Sequence, residues 1–380
     1  MNEAVIVRAK RTPIGKIGGS LSHLPPEKLI QPVLKGLIEG LDSAAIDDVI
    51  LGNVVGPGGN IARLSLLCAG LPVTVPGVTI DRQCGSGLEA INIAARLVQA
   101  GAGDMFIAGG VESTSLAPWK VKKPASLHDP RGPELYTRAQ FSPEFIGDPE
   151  MGEAAENVAA HYGVTREEQD EFAYISHMKA SAAQREGAFR EEIMPVDGIE
   201  ADECSRPNTS LAKLSTLKPV FKQGGTVTAG NACPMNDGAA AVLVMSLEKC
   251  RSLGLTPLAR FVDSTSAGVN PHVLGAGPIP AVKKLWERQN ITEEDIDLVE
   301  FNEAFASQVI ASLKSLEIPH KKVNRSGGAL ALGHPYGASG AILVTRLVHE
   351  FANSSSFKRG IATLGIGGGM GLATIFESNG

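Results

Sequence analysis

The sequence has too little of several things to support whole classes of function. Its five cysteines are odd in number and show no CxxC spacing, which argues against a disulfide framework and a cysteine-based zinc site. Its eight histidines offer no HExxH or other ligand pattern, so no metal is expected. Positive charge is not in surplus. Against 41 Asp and Glu there are 35 Lys and Arg, and the formal net charge is −6, which argues against nucleic acid as a partner. No apolar run reaches the roughly 18 residues that cross a bilayer, so no membrane partner is expected. The opening run Ala4-Val5-Ile6-Val7-Arg8 is too short for a signal segment and reads as a first strand. The last residues, Ser378-Asn379-Gly380, are not a peroxisomal address. Reduced thiols and a cytoplasmic location are the expectation.

What is present describes an ordinary globular chain. At 380 residues it is long for one core and predicts two or three units. The 43 glycines cluster, as tight turns near a site would require. Short apolar runs at Asp48–Leu51, Val78–Ile80 and Met105–Ala108 alternate with helical spacing over Pro26–Ile38 and Gly87–Ala100. Such alternation implies a layered α/β architecture. The middle of the chain carries Lys120, Lys122, Lys123, Arg206, Lys213, Lys218 and Lys222, either a local basic patch or a solvated face.

The second half repeats the first at an offset of 250. Ile46-Asp47-Asp48-Val49 matches Ile296-Asp297-Leu298-Val299, Gly52 falls on Asn302, Cys84 on His334, and Gly87 on Gly337. Duplication of one α/β unit around a pseudo-twofold axis would put Cys84 and His334 on equivalent, facing loops. The region of about 116–235 does not share the repeat. It contains a capping box, Thr165 with Glu168, before a helix-prone run from Glu167 to Arg185, and reads as an inserted domain over the site.

Four elements carry chemistry. In Asp81-Arg82-Gln83-Cys84-Gly85-Ser86-Gly87 a cysteine opens a helix, where the macrodipole is expected to lower its thiol pKa and favour the nucleophilic thiolate. Read alone, it is equally a small buried cysteine. Leu332-Gly333-His334-Pro335-Tyr336-Gly337-Ala338-Ser339-Gly340 sets a histidine at a second helix mouth, either a proton acceptor or a satisfied core residue. Phe301-Asn302-Glu303-Ala304-Phe305 offers an amide for a water or an oxyanion, or a turn-forming asparagine. Gly365-Ile366-Gly367-Gly368-Gly369-Met370-Gly371 has Met370 where a dinucleotide fingerprint needs glycine, and the strand-like Leu372–Phe376 follows instead of a helix. Its backbone N–H groups suit an oxyanion hole, or a plain turn between strands.

Taken with further segments, these elements resemble the thiolase family from the first strand to the last. Gly109-Gly110-Val111-Glu112-Ser113 is similar to its GGxES segment, and Met151-Gly152 with Ala155-Glu156-Asn157-Val158-Ala159 to its MG…AENVA helix. Gly225–Ala232, Asn236–Ala240, Asn302–Phe305 and Gly333–Pro335 resemble its GTVTAGNA, NDGAA, NEAF and GHP motifs. The resemblance implies an α/β, five-layered αβαβα fold built from two duplicated halves with an inserted loop domain. The expected division is 1–115 with 236–257, then 116–235, then 258–380. It implies that Cys84 takes the acyl group and that His334 activates it. With a water on Asn302, His334 would bind a thioester oxygen. The N–H groups of Cys84 and Gly367 would form a second oxyanion hole. Arg206, Ala229, Cys233, Met151 and Phe305 fall at positions lining the coenzyme A channel. Acyl-CoA and CoA would be substrates, with no permanently bound cofactor, and the assembly would be a homodimer or homotetramer.

The sequence departs from the family in three places. Gly365 stands where the family has its acid/base cysteine, and general acid/base groups supply about 10²–10⁴-fold, so the carbon–carbon step is expected to suffer by that much. Cys233 replaces a serine and is one candidate for the missing proton carrier, and Glu150 replaces a frequent histidine beside Met151. The expected activity is thiolase-like acyl transfer from acyl-CoA or 3-ketoacyl-CoA to CoA or acyl-CoA. Acyl transfer or thioester hydrolysis without carbon–carbon chemistry, and acyl-CoA binding without turnover, are the alternatives.

Overall fold

The computed structural model describes residues 2–379, apart from 125, 127 and 129. Five strands come from the first half: β1 (Ala4–Arg11), β2 (Asp48–Gly52), β3 (Gly77–Ile80), β4 (Met105–Ser113) and β5 (Asn236–Ser246). Four follow: β6 (Ala259–Gly268), β7 (Leu298–Phe301), β8 (Arg359–Ile366) and β9 (Met370–Ser378). The helices used below are α1 (Ser86–Ala100), α2 (Met151–Tyr162), α3 (Arg166–Glu186), α4 (Pro278–Gln289), α5 (Ala306–Leu316) and α6 (Tyr336–Asn353).

Hydrogen bonding runs in the order β7-β8-β9-β6-β1-β5-β4-β2-β3. The two ends of this path obey one plan. β3, β2 and β4 are mutually parallel, while β5 and β1 continue antiparallel. In the second half β7 and β8 are parallel, β9 and β6 continue antiparallel, and a lone parallel bridge from Val299 to Val323 takes the place of β3. The halves join where β1 meets β6 through only two residue pairs, Val5 with Arg260 and Ile6 with Ala259.

Side-chain alternation sorts the core into layers. Val49 and Leu51 of β2 pack outward on the helices Gln31–Ile38 and Ile61–Cys68, whereas Ile50 points inward. Val299, Phe301 and Ile375 likewise face α4 and α5. The inward faces of both halves share one cluster with α1 and α6, which form the middle layer. The order is therefore helices, sheet, helices, sheet, helices, with β4 and β5 buried along their whole length as strands covered on both faces should be.

The middle layer is thin because glycine makes it so. A Cβ on Gly110 would collide with the carbonyl oxygen of Gly337, and one on Gly340 with the backbone N of Leu88. Without side chains there, α6 lies directly on α1 and β4, and the loops at the N-termini of both helices are drawn together.

The chain leaves the sheet after Ser113 and returns at Asn236. Between them lie a hairpin (Lys120–Lys122 with Glu134–Tyr136), α2, α3 and the short helix Leu211–Ser215. The capping box is present: Thr165 Oγ1 accepts from Glu168 N, and Glu168 Oε2 accepts from Thr165 N. The segment Pro26–Ile38 forms two helices, Pro26–Leu29 and Gln31–Ile38, because Pro32 has no N–H to carry one helix through.

Candidate active site

Cys84 sits on a tightly tied turn between β3 and α1. Gln83 takes a left-handed φ of 48°, its N–H donates to Asp81 Oδ1 at 2.7 Å, and Ser86 Oγ accepts from Arg82 N and donates to Gln83 O. A non-glycine residue in this region is strained, and the surrounding bonds hold it there. The result sets the sulfur on one hollow wall with Gly367, where the N–H groups of Gly367 and of Cys84 itself act to lower its thiol pKa. The Gly367 turn joins β8 to β9, so a loop of the second half completes the cradle of a residue from the first.

The expected lowering of the thiol pKa is corrected here. Burial pushes the Cys84 thiol up to about 12, against the pull of the two N–H groups. The sequence reading counted the helix terminus and not the desolvation imposed by the opposite half. His334 is moved the other way, because burial pushes its imidazole down to about 4. Between those limits the resting pair is a neutral thiol and a neutral imidazole.

His334 is held from three sides. Its N–H donates to Asn236 Oδ1 at 2.9 Å, Nδ1 lies 2.6 Å from Ser339 Oγ, and Asn302 Nδ2 lies 3.4 Å from Nε2. Ser339 Oγ donates in turn to Pro335 O, so the consistent tautomer carries its proton on Nδ1 and leaves Nε2 free to accept. Asn302 is itself anchored, its N–H donating to Thr363 O and its carbonyl accepting from Gln308 Nε2. The Tyr336 ring meets the His334 ring edge-on with centroids 5.2 Å apart.

Three buried glutamates brace the loops. Glu112, from the Gly109–Ser113 motif, accepts from the N–H groups of Val54, Val55 and Gly337, tying α6 to the first half, and burial raises its carboxyl to about 7. Glu303, beside Asn302, accepts from Ser176 Oγ, Asn324 Nδ2 and Leu330 N. Glu156 of α2 accepts from Thr226 and Val227 N, which explains why those two motifs occur together. The bracing roles of Glu112 and Asn236 escaped the sequence reading because each arises from partners far along the chain, whereas Ser339 acts on His334 from within the same motif.

Three hollows run in series from Cys84, the first two sharing Met235 and the last two Arg206. The innermost, of 250 Å³, is mostly apolar and is lined by Cys84, Gly367, Tyr336, Met151, Met235 and Phe141. The next, of 430 Å³, is lined by Cys233, Ala229, Arg206, His177, Phe221 and, again, Met235. The outermost, of 370 Å³, carries Arg206 and Lys213. His177 Nδ1 accepts from the Arg206 N–H and orients that loop. Of the five residues expected along a channel, Arg206, Ala229 and Cys233 line the middle hollow. Met151 faces the Cys84 hollow, and Phe305 stands behind the wall, edge-on to Phe221 at 6.1 Å. Cys233 packs among Ala155, Val227, Ala304 and Phe305, and burial lifts its thiol well above the usual range. At Gly365, a Cβ would lie 3.2 Å from Gln308 Nε2 and 3.3 Å from Gly275 O.

Among the described residues no three His, Cys, Asp or Glu side chains converge as a metal cage, and no helix is long and apolar enough to cross a membrane.

Comparison with known proteins agrees with this geometry. The family model for the thiolase N-terminal domain matches residues 4–248, and that for the thiolase C-terminal domain matches residues 255–378. A Staphylococcus epidermidis protein described as "Putative acetyl-CoA C-acetyltransferase VraB" is 52% identical over 386 residues, covering 99% of each chain. The crystal structure of the Bacillus anthracis acetyl-CoA acetyltransferase superposes with a TM-score of 0.93 at 40% identity, covering 100% of this chain and 99% of the other. That of human mitochondrial 3-ketoacyl-CoA thiolase gives 0.92 at 35%, with the same coverage.

Proposed function

Because this chain belongs to the thiolase family and is an acyltransferase, we propose that Cys84 accepts an acyl group as a thioester from acyl-CoA or 3-ketoacyl-CoA and passes it to CoA or acyl-CoA. The observation that carries the reading is the placing of Cys84 and Gly367 on the wall of one hollow with Tyr336, whose ring stands edge-on to His334.

His334 Nε2 takes the thiol proton as the sulfur attacks. The Nδ1–H bond to Ser339 fixes the ring for that transfer, and the Asn302 amide steadies it. Moving a proton between two groups that are neutral at rest is unfavourable in the free enzyme. It becomes favourable as the carbonyl oxygen gains negative charge near preorganised donors. His334, with a water on Asn302, binds one thioester oxygen, and the N–H groups of Cys84 and Gly367 bind the other. The acyl chain occupies the Met151–Phe141 hollow. The coenzyme A arm runs past Cys233 and Ala229, with Phe305 backing the wall, and its phosphates meet Arg206 and Lys213. Acyl transfer without carbon–carbon chemistry is the second reading, favoured by Gly365 alone.

Self-association is part of the proposal. β3 ends the sheet as an edge, and near it Leu64, Leu67, Val73 and Val78 are exposed, an edge that pairing with a second copy would cover. The five unpaired cysteines suit a reducing compartment, so we assign the activity to the cytoplasm, in fatty acyl turnover.

The test is mass spectrometry of the purified protein mixed with acetyl-CoA, beside steady-state thiolysis of acetoacetyl-CoA. An acetyl adduct on the peptide containing Cys84 supports the reading. No adduct from acetyl-CoA or longer acyl-CoA overturns it. Light scattering after gel filtration checks the dimer or tetramer, and a monomer would overturn that element.

A further inference from the structure

Carbon–carbon cleavage needs an acid beside the carbon that departs as an enolate, and Gly365 offers none. The groups nearest to a side chain there are the Gln308 amide and the Gly275 backbone, neither of which titrates. On the reading proposed above, the departing carbon lies between the acyl carbon held on Cys84 and the sulfur of coenzyme A, whose arm passes Cys233. An acid for this step must therefore stand between Cys84 and Cys233.

Tyr336 borders the hollow that holds Cys84, and Met235 of that hollow also lines the hollow of Cys233. The Tyr336 ring is fixed edge-on against His334. Burial raises its phenol, and the sulfurs of Cys233 and Cys84 act in the same direction. The hydroxyl has no hydrogen-bond partner among the described residues, although the ring is largely buried. A hydroxyl kept unpaired on a cavity wall beside a nucleophile is left for a group that arrives with the substrate. Cys233, the other proton carrier in reach, lines the coenzyme A hollow and not the one containing Cys84.

We propose that Tyr336 is a catalytic residue of the carbon–carbon step, its hydroxyl protonating the enolate released from a 3-ketoacyl-CoA. The proposal rests on acylation of Cys84. Cys84 gives its proton to His334, and its sulfur adds to the ketone carbon. The tetrahedral adduct collapses, and the bond between the ketone carbon and the α-carbon breaks. The electron pair of that bond leaves on the α-carbon and takes the Tyr336 proton, yielding acetyl-CoA and a phenolate. The incoming CoA thiol reprotonates the phenolate and attacks the acyl-Cys84 thioester as the thiolate. The Cys84 sulfur leaves and recovers its proton from His334. Burial holds the phenol above its usual range, so it enters each cycle protonated, the form that donates.

Two rates test this on the full-length protein: thiolysis of acetoacetyl-CoA, and acetyl exchange between acetyl-CoA and labelled CoA, which passes through Cys84 without breaking a carbon–carbon bond. Tyr336→Phe, which keeps the ring on the acyl hollow and against His334, is expected to lower thiolysis by about 10²–10³-fold and exchange by a factor at least about tenfold smaller. Adding Gly365→Cys to Tyr336→Phe, which returns a proton carrier to the site, is expected to regain about tenfold or more. Unchanged thiolysis in Tyr336→Phe overturns the inference, as does an equal loss in both rates. A larger thiolysis loss in Cys233→Ser than in Tyr336→Phe also overturns it, in favour of Cys233. If the wild type exchanges acetyl groups but cleaves no 3-ketoacyl-CoA, this inference fails alone. If it takes no acyl group onto Cys84, the underlying reading fails.

Discussion

Asp47 and Asp297 hold matching positions in the two halves. The Asp47 carboxylate accepts from the N–H groups of Asp104 and Met105 at the start of β4, and that of Asp297 from Lys358 and Arg359 at the start of β8. From these brackets the strands run in parallel to the same end of the molecule, where the halves diverge. The first presents Gly52 and a cysteine on a strained turn, the second Asn302 and a histidine held by its neighbours. A duplicated scaffold fixes where two side chains arrive, and on the function proposed above the difference at equivalent tips makes one a nucleophile and the other a base. Burial acts on both tips with opposite sign and keeps each uncharged at rest.

That division of labour can be broken in order of expected effect. Cys84→Ala should remove acyl transfer by at least about 10⁴-fold, read as initial rates and loss of the adduct. Residual turnover near wild type would move the nucleophile elsewhere. His334→Ala should cost about 10²–10⁴-fold in the same assay with the fold intact, and a smaller loss would leave the second half without its role as base. Gly110→Ala forces a Cβ into the Gly337 carbonyl, and about 1–3 kcal/mol should be lost in urea unfolding. An unchanged midpoint would mean that the two halves do not meet so closely.

The smallest expected effect sharpens the comparison through two buried carboxyls. Glu112 is bonded by three backbone N–H groups and the Asn53 amide, whereas Glu300, on β7, has no hydrogen bond among the described residues, and burial raises it to about 8 despite the pull of Arg346. A carboxyl raised on folding contributes stability below its ordinary value of 4.5 and loses it as pH rises through 8. Glu300→Gln should therefore gain stability relative to wild type between pH 5 and pH 8.5, seen as a diverging melting temperature by about one pH unit above the ordinary carboxylate range. Parallel pH curves would show that Glu300 is charged in the fold.

Much of this was legible in the sequence. The offset joining Cys84 to His334 and Gly87 to Gly337 anticipated facing loops, and α1 and α6 do meet through those glycines. The capping box at Thr165 and the strands at Asp48–Leu51, Val78–Ile80 and Met105–Ala108 were local signals and read correctly. The direction of the Cys84 pKa was misjudged because it depends on residues of the other half, which no local window contains. Tyr336 was visible in its motif, but its place on the wall of the Cys84 hollow is a product of the α1–α6 contact. The two-pair junction of β1 with β6 left no trace, since neither strand's pattern records its neighbour.

That junction bears on synthesis. β1 is the middle strand of the hydrogen-bonded path, yet of these nine strands it is synthesised before the others. Its main partner, β5, begins at Asn236, so at about 5–20 residues per second it waits roughly 12–50 s for a neighbour. Through that interval Val5, Ile6 and Val7 form an unpaired apolar edge, the kind of surface that chaperones shield and that aggregates when they do not. Yield of this protein in a foreign host should follow holdase capacity and translation speed, because the strand at the centre of the sheet is made first and set in place late.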